Sequence, residues 1–249
     1  MREVVLIHGR ACDLKRRGDL MATHQHVGLI KRRLDEGIQT RQTNLLTLAR
    51  SPVDRERLEE IRRADGAYAW IGVTDASGKV LAAAGGLLEE VSVSSRPWFL
   101  GARGGPFTAD VHEAVLLANL LGGGRGEPPR FFDIAVPVTQ EGSLIGVLGA
   151  HLYSDWLEEV AQLPSAALQE VRGEVMLLSQ DGTVQAGPQH LKGRRVIIDP
   201  ATGKVTWPQS GSFLWHAAPG GSRLAGARWT IVARAPPSPG ALDRLLAGW

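Results

Sequence analysis

The first strongly patterned stretch runs from Leu20 to Arg50. Ile30, Leu34, Ile38, Leu45 and Leu48 recur at spacings near one helical turn, with Arg, Gln and Asp between them. That is the signature of a helix with one apolar face. About thirty residues is long for a globular helix and suits a stalk or a dimer helix. Ser51-Pro52 stops it and starts another: Ser51 is placed to cap, Pro52 to occupy the first helical position, and Asp54 to sit in the first turn. The second helix is predicted through Leu58 and Ile61 to about Ala64. Ahead of these helices, residues 1–19 have weak periodicity and form an N-terminal extension, expected to be disordered in part.

Beyond Ala64 the period changes from helical to β-type. AYAWIGV, 67–73, and VLAAAG, 80–85, are strands joined by a turn containing Asp75 and Gly78. Residues 94–103 read as a short helix or loop, and Phe107–Val111 as a strand. The apolar stretch from His112 to Leu121 fits strand or helix, and GGGRGEPP, 122–129, a flexible loop. FFDIAVPV, 131–138, and LIGVLGAHL, 144–152, are paired strands around the turn QEGS. Trp156–Leu168 is helical and is broken or kinked at Pro164. The order then repeats. GEVMLLSQDGTVQAGP, 173–188, is again strand, Asp-Gly turn, strand, and ARWTIVARAP, 227–236, is a closing strand. Two sheet-bearing modules behind one long helix, with approximate internal duplication, follow from this order.

Charge and composition narrow the functional classes. Lys and Arg number 28 against 26 Asp and Glu, a net charge of +2. The basic residues are scattered apart from Lys15-Arg16-Arg17 and Lys31-Arg32-Arg33, which does not make a nucleic-acid surface. Cys12 is the one cysteine, so neither an intrachain disulfide nor a Cys-based zinc site can form. No run of about 18 apolar residues occurs. Enzyme signatures are missing together. His112-Glu113 begins like a zincin helix, but Leu116 stands where the second histidine belongs. His24 and His26 are two apart and diverge on a helix. Gly203-Lys204 lacks the upstream glycine of a phosphate loop, and no Gly-x-Ser-x-Gly elbow exists. No catalytic residue, metal site or cofactor is expected.

What remains is an ordered constellation. SSRPWF (94–99), FTADVHEAV (107–115), RFFDIAVPV (130–138), the hairpin ending GVLGAHL and the helix beginning at YSDWL follow one another. GEVMLLSQDGTVQAGP, WPQSGSFLW and RWTIVARAP come after them. Over roughly residues 20–240 this order resembles the double Cache sensor domains of bacterial transmembrane receptors: chemoreceptors, sensor histidine kinases and diguanylate cyclases. The resemblance implies an α+β fold, with a long N-terminal helix followed by two PAS-like modules, each an antiparallel sheet flanked by helices. Its expected boundaries are stalk helices at 20–64, a membrane-distal module at 65–155, a linker helix at 156–172 and a membrane-proximal module at 173–249.

The resemblance also implies a function: extracytoplasmic sensing of a small polar ligand, such as an amino acid, amine or carboxylate, by the membrane-distal module. Arg96 offers the planar fork that suits a carboxylate, and Trp98 can wall an apolar cavity. Pro97 keeps Arg96 out of helical geometry. Asp110 and Asp133 are the expected acceptors for an amine or hydroxyl, and Phe99, Phe107 and Phe131 complete the expected ligand-binding set. Arg96 and Trp98 match the Arg-x-Trp spacing of amino-acid-binding members, whereas Val91, Phe99 and Phe107 stand where tyrosines are usual. A homodimer through the N-terminal helix is expected, with no nucleic-acid partner. The setting is the periplasmic face of an inner membrane, with membrane spans and output domain in sequence outside these residues. Two other readings stay open. One is a ligand-free structural module that binds a partner protein. The other is an enzyme using Asp110, His112 and Asp133 as acid–base groups.

Overall fold

The computed structural model describes residues 14–121, 129–161, 174–198, 205–206, 213–216 and 229–234. A first helix, α1 (Leu14–Leu48), begins ahead of the expected Leu20 start. Its predicted apolar face is covered by the chain's own core, with Ile30, Leu34, Ile38 and Leu45 each at most 4% exposed. The second helix, α2 (Arg55–Ala64), corrects the expected cap. Asp54, not Ser51, is the N-cap, and its side chain accepts from the Arg57 N–H at 2.9 Å. The helix therefore starts beyond Pro52 rather than at it. An aspartate at this position satisfies an orphan donor of the first turn and faces the positive end of the helix dipole.

The described residues divide into two compact units. One spans Arg33–Glu159. Its sheet holds β1 (Tyr68–Thr74), β2 (Val80–Ala83), β3 (Phe107–Thr108), β4 (His112–Glu113), β5 (Arg130–Gln140) and β6 (Ser143–Tyr153) in the order β2-β1-β6-β5-β3, with β4 also on β5. All its pairings are antiparallel. Every residue of β1 is buried, as for a strand covered on both faces. Short helices α3 (Pro97–Ala102) and α4 (Val115–Leu120) join the sheet strands, so the His112–Leu121 stretch is part strand and part helix. On one sheet face, the Gln42 amide of α1 donates to Thr108 Oγ1 of β3 at 3.0 Å. The helix α5 (Asp155–Ala161) brings Trp156 against Gly37 of α1, where an added Cβ would meet the ring at 2.5 Å. On the other face lies a core of Trp70, Val80, Trp98, Phe99, Leu117, Phe131, Ala135 and Val147.

The second unit repeats the plan. Its strands are β7 (Glu174–Leu178), β8 (Val184–Ala186), β9 (Ile197–Ile198), β10 (Val205–Thr206), β11 (Phe213–His216) and β12 (Thr230–Arg234), in the order β8-β7-β12-β11-β10-β9. In both sheets the first strand lies between its hairpin partner and the last strand. The hairpin turns match in detail. Gly78 and Gly182 have φ of 89° and 86°, and the residue after each makes an isolated bridge, Lys79 to Ser92 and Thr183 to Arg195. The predicted duplication is thus present in topology and in turn geometry. The expected turn DPATGK, the loop after Leu121 and the end of the helix beyond Ala161 lie outside the described residues.

Candidate functional site

Strand alternation carries chemistry to one face of the first sheet. On β5, Phe131, Asp133 and Ala135 point the same way, because side chains on a strand alternate. Residues directly opposite each other in an antiparallel pair share a face. Asp133 lies opposite His151 of β6, Phe131 opposite Tyr153, and Ala135 opposite Gly149. Trp70 of β1 lies on the far side of His151. His112 of β4 lies opposite Phe131. Pro97 occupies the first position of α3, preset for a helix start, and the next two residues, Trp98 and Phe99, are buried. The helix packs over β5 and β6. Gly149 leaves the room that Trp98 fills: a Cβ there would lie 2.5 Å from the indole.

At the centre is a buried carboxylate held by imidazoles. Asp133 is 2% and His151 7% exposed. Asp133 Oδ1 lies 2.5 Å from His151 Nδ1, and Oδ2 lies 3.6 Å from His112 Nε2. His112 is half-buried and its Nδ1 lies 3.2 Å from the Asp110 carbonyl. Rings enclose His151: Trp70 at 5.3 Å, His112 at 5.9 Å, Trp98 at 6.1 Å and Phe131 at 6.2 Å between centroids. Trp70 spends its N–H on the Leu87 carbonyl at 2.9 Å. A carboxylate withdrawn from water needs compensating donors or charge, and the His151 imidazole supplies a donor. Trp98 meets His151 edge to face, at 89° between planes. The result is a polar centre inside an aromatic frame.

No family model matches the chain, and no curated protein matches it. Solved structures do. The ligand-binding domain of the Pseudomonas fluorescens chemoreceptor CtaA in complex with L-leucine superposes with a TM-score of 0.63 at 15% identity, covering 89% of this chain and 96% of that one. The ligand-binding domain of the Pseudomonas aeruginosa amino-acid chemoreceptor PctC in complex with GABA gives 0.59 at 17% identity, covering 83% and 95%. The extracellular domain of a histidine kinase gives 0.62 at 16% identity, covering 95% and 99%. This chain has the double Cache fold. At such identities the likeness is one of fold, and the double Cache scaffold is what the chain shares with these sensor domains.

Within the first double Cache module the structure distributes the expected site residues unevenly. Trp98, Phe99 and Phe131 are buried in one cluster, with Phe107 packed against it. Asp133 stands on the same face. Asp110 is half-buried. Its Oδ1 accepts from the Val111 N–H at 2.8 Å, and its main-chain carbonyl orients His112. Arg96 is exposed at the N-cap of α3, extended with φ −75° and ψ 136° as the following proline requires. Asp133 accepts from His151 at Oδ1 and turns Oδ2 toward His112, within β5. His151 and Trp70 were not among the expected site residues. Among the described residues no helix is long and apolar enough to cross a membrane.

Proposed function

We propose that this chain is the extracytoplasmic sensing domain of a bacterial signal-transduction receptor, and that its first module binds a small polar ligand such as an amino acid, amine or carboxylate. The observation that carries the reading is the buried Asp133–His151 pair inside the Trp70, Trp98 and Phe131 frame, on a scaffold whose solved neighbours were crystallised with amino acids and GABA. Buried polar groups ringed by aromatics are the usual make-up of a small-molecule site. Asp133 would face a ligand ammonium or hydroxyl. Arg96, two residues before Trp98, would supply the carboxylate fork as the α3 end closes. Binding would act by population shift, moving the helix or the last strand against a partner subunit. A homodimer through α1 belongs to the same proposal. It would use helix surface other than Ile30, Leu34 and Ile38, which the chain's own core already covers.

The test is a thermal-shift panel of amino acids, amines and small carboxylates on the purified chain, with calorimetry on each hit. At a hundredfold excess over Kd a ligand adds about 2.7 kcal/mol, a rise of roughly 5–11 °C for a chain of this size. The expected hit disappears in Asp133→Asn and weakens in Arg96→Ala, while both variants stay folded. A panel that neither shifts the melting temperature nor releases heat would overturn the proposal, as would a hit indifferent to both substitutions.

A further inference from the structure

We propose that His112, Asp133 and His151 form a site for a divalent transition-metal ion of zinc-like ligand preference. Each residue offers one ligand atom, and the three atoms lie within 4.8 Å of one another. Two imidazoles and a carboxylate are a donor set suited to Zn²⁺, Ni²⁺ or Cu²⁺. They come from three neighbouring strands, β4, β5 and β6, so the backbone spacing is set by ladder hydrogen bonds rather than by loops.

The proton positions sharpen the case. A main-chain carbonyl only accepts hydrogen bonds, so the hydrogen between His112 and Asp110 sits on His112 Nδ1. Nε2 is the ring's other nitrogen, and it faces Asp133 Oδ2 at 3.6 Å. That is too long for a hydrogen bond, and a metal ion taking the Nε2 lone pair would hold the two atoms together. Ligands 2.0–2.1 Å from a tetrahedral ion stand roughly 3.4 Å apart, close to this separation. His151 presents Nδ1 to the same carboxylate: it donates to Asp133 Oδ1 at 2.5 Å, and an ion entering here would displace that proton and take Nδ1 as its ligand. The Asp110 carbonyl behind His112 is the outer-shell arrangement that orients a metal-bound histidine. Three protein donors leave a fourth position open, as in zinc sites that take up a further ligand. An amine or carboxylate could complete it. The assignment shares its site with the sensing role proposed above and would name the chemistry by which that site holds its ligand.

The experiment uses the full chain, free of any histidine tag and stripped of metal, titrated with Zn²⁺ by calorimetry and with Co²⁺ by visible absorption. One equivalent should bind, with Co²⁺ bands of low-symmetry nitrogen and oxygen coordination. Loss of a direct ligand in His112→Ala or Asp133→Asn should weaken binding beyond the roughly 10–100-fold typical of outer-shell partners. His112 is half-buried at a short strand, so its alanine variant should stay folded, and a melting curve checks this. Zinc that binds neither variant more weakly than the parent, or that does not bind the parent, would overturn the site. The organic panel is run on the same metal-free protein. Amino-acid binding there with no metal binding removes the metal site and leaves the sensing role standing. Metal binding with no organic hit does the reverse.

Discussion

Gly149 gives a direct way to ask whether Trp98 is held against the sheet as described. An alanine Cβ at this position would lie 2.5 Å from Cζ3, 2.8 Å from Cε3 and 2.9 Å from Cη2 of the Trp98 ring. The ring cannot swing aside freely. It is 2% exposed and wedged among Trp70 at 6.0 Å, Phe99 at 6.2 Å and His151 at 6.1 Å. Gly149→Ala is therefore overpacking of a filled core, with a cost of about 1–3 kcal/mol. For a chain of this length that lowers Tm by roughly 2–12 °C. Trp98→Leu removes all three contacted ring atoms, and by itself it should cost a few kcal/mol, of the order of other large-to-small core changes. In that background the added methyl falls into vacated space, so Gly149→Ala should cost close to nothing. The coupling, measured as a double-mutant cycle by urea denaturation, should thus be about 1–3 kcal/mol in magnitude. Equal costs in the two backgrounds would refute the packing of Trp98 over Gly149, and with it the aromatic frame around His151.

Two further outcomes follow from the first module. Removing Ile145, an exposed residue that is extra on its strand, should leave the β5–β6 pairing intact and shift Tm by no more than about 4 °C, as for a surface change under 1 kcal/mol; cooperative unfolding lost at 25 °C would refute the bulge. The Asp75 carboxyl is held below its ordinary value of 3.8, first by the Ser77 hydroxyl and then by N–H groups of the turn. A carboxyl depressed in the folded state stabilises above its unfolded value and loses that contribution as pH falls through the folded one. The Tm gap between parent and Asp75→Ala should be constant near neutral pH and shrink below about pH 3.8. A gap that is unchanged or widens in acid would show that the turn does not hold Asp75 ionised.

Much of the architecture was legible because each element agrees with its local chemistry. Ile30, Leu34 and Ile38 repeat at the helical period, and they are the residues the helix buries. Asp75 to Gly78 and Asp181-Gly182 are turns because aspartate bonds its own backbone and glycine accepts positive φ. The duplicated strand order could be read from those turns. Where two signals competed, the sequence was less informative. Ser51-Pro52 and Asp54 both look like helix starts, and the choice falls on the residue whose carboxylate reaches the Arg57 N–H. Val115 to Leu121 is apolar enough for either a strand or a helix.

The polar centre was only half legible, and the reason is a register. The resemblance singles out Asp133 as an expected acceptor for an amine or hydroxyl, without its partner in the fold. Finding that partner requires counting along the hairpin. The Glu141-Gly142 turn has two residues, both at positive φ, as in the tight hairpin turns that match strand twist. It pairs Gln140 with Ser143 and Thr139 with Leu144. Continued without interruption, that count would set His151 opposite Phe132, with Asp133 on the other face of the sheet. Ile145 breaks the count. With this extra residue Val138 meets Gly146 instead, and from there Asp133 meets His151. One bulged residue, far from the site along the strand, thus decides whether the acid and the imidazole share a face. Its exposed side chain carries no sign of that role, since a bulge is a property of pairing and not of composition. Composition could offer His112 and Asp133 as separate polar residues, whereas only the paired strands make them, with His151, one group.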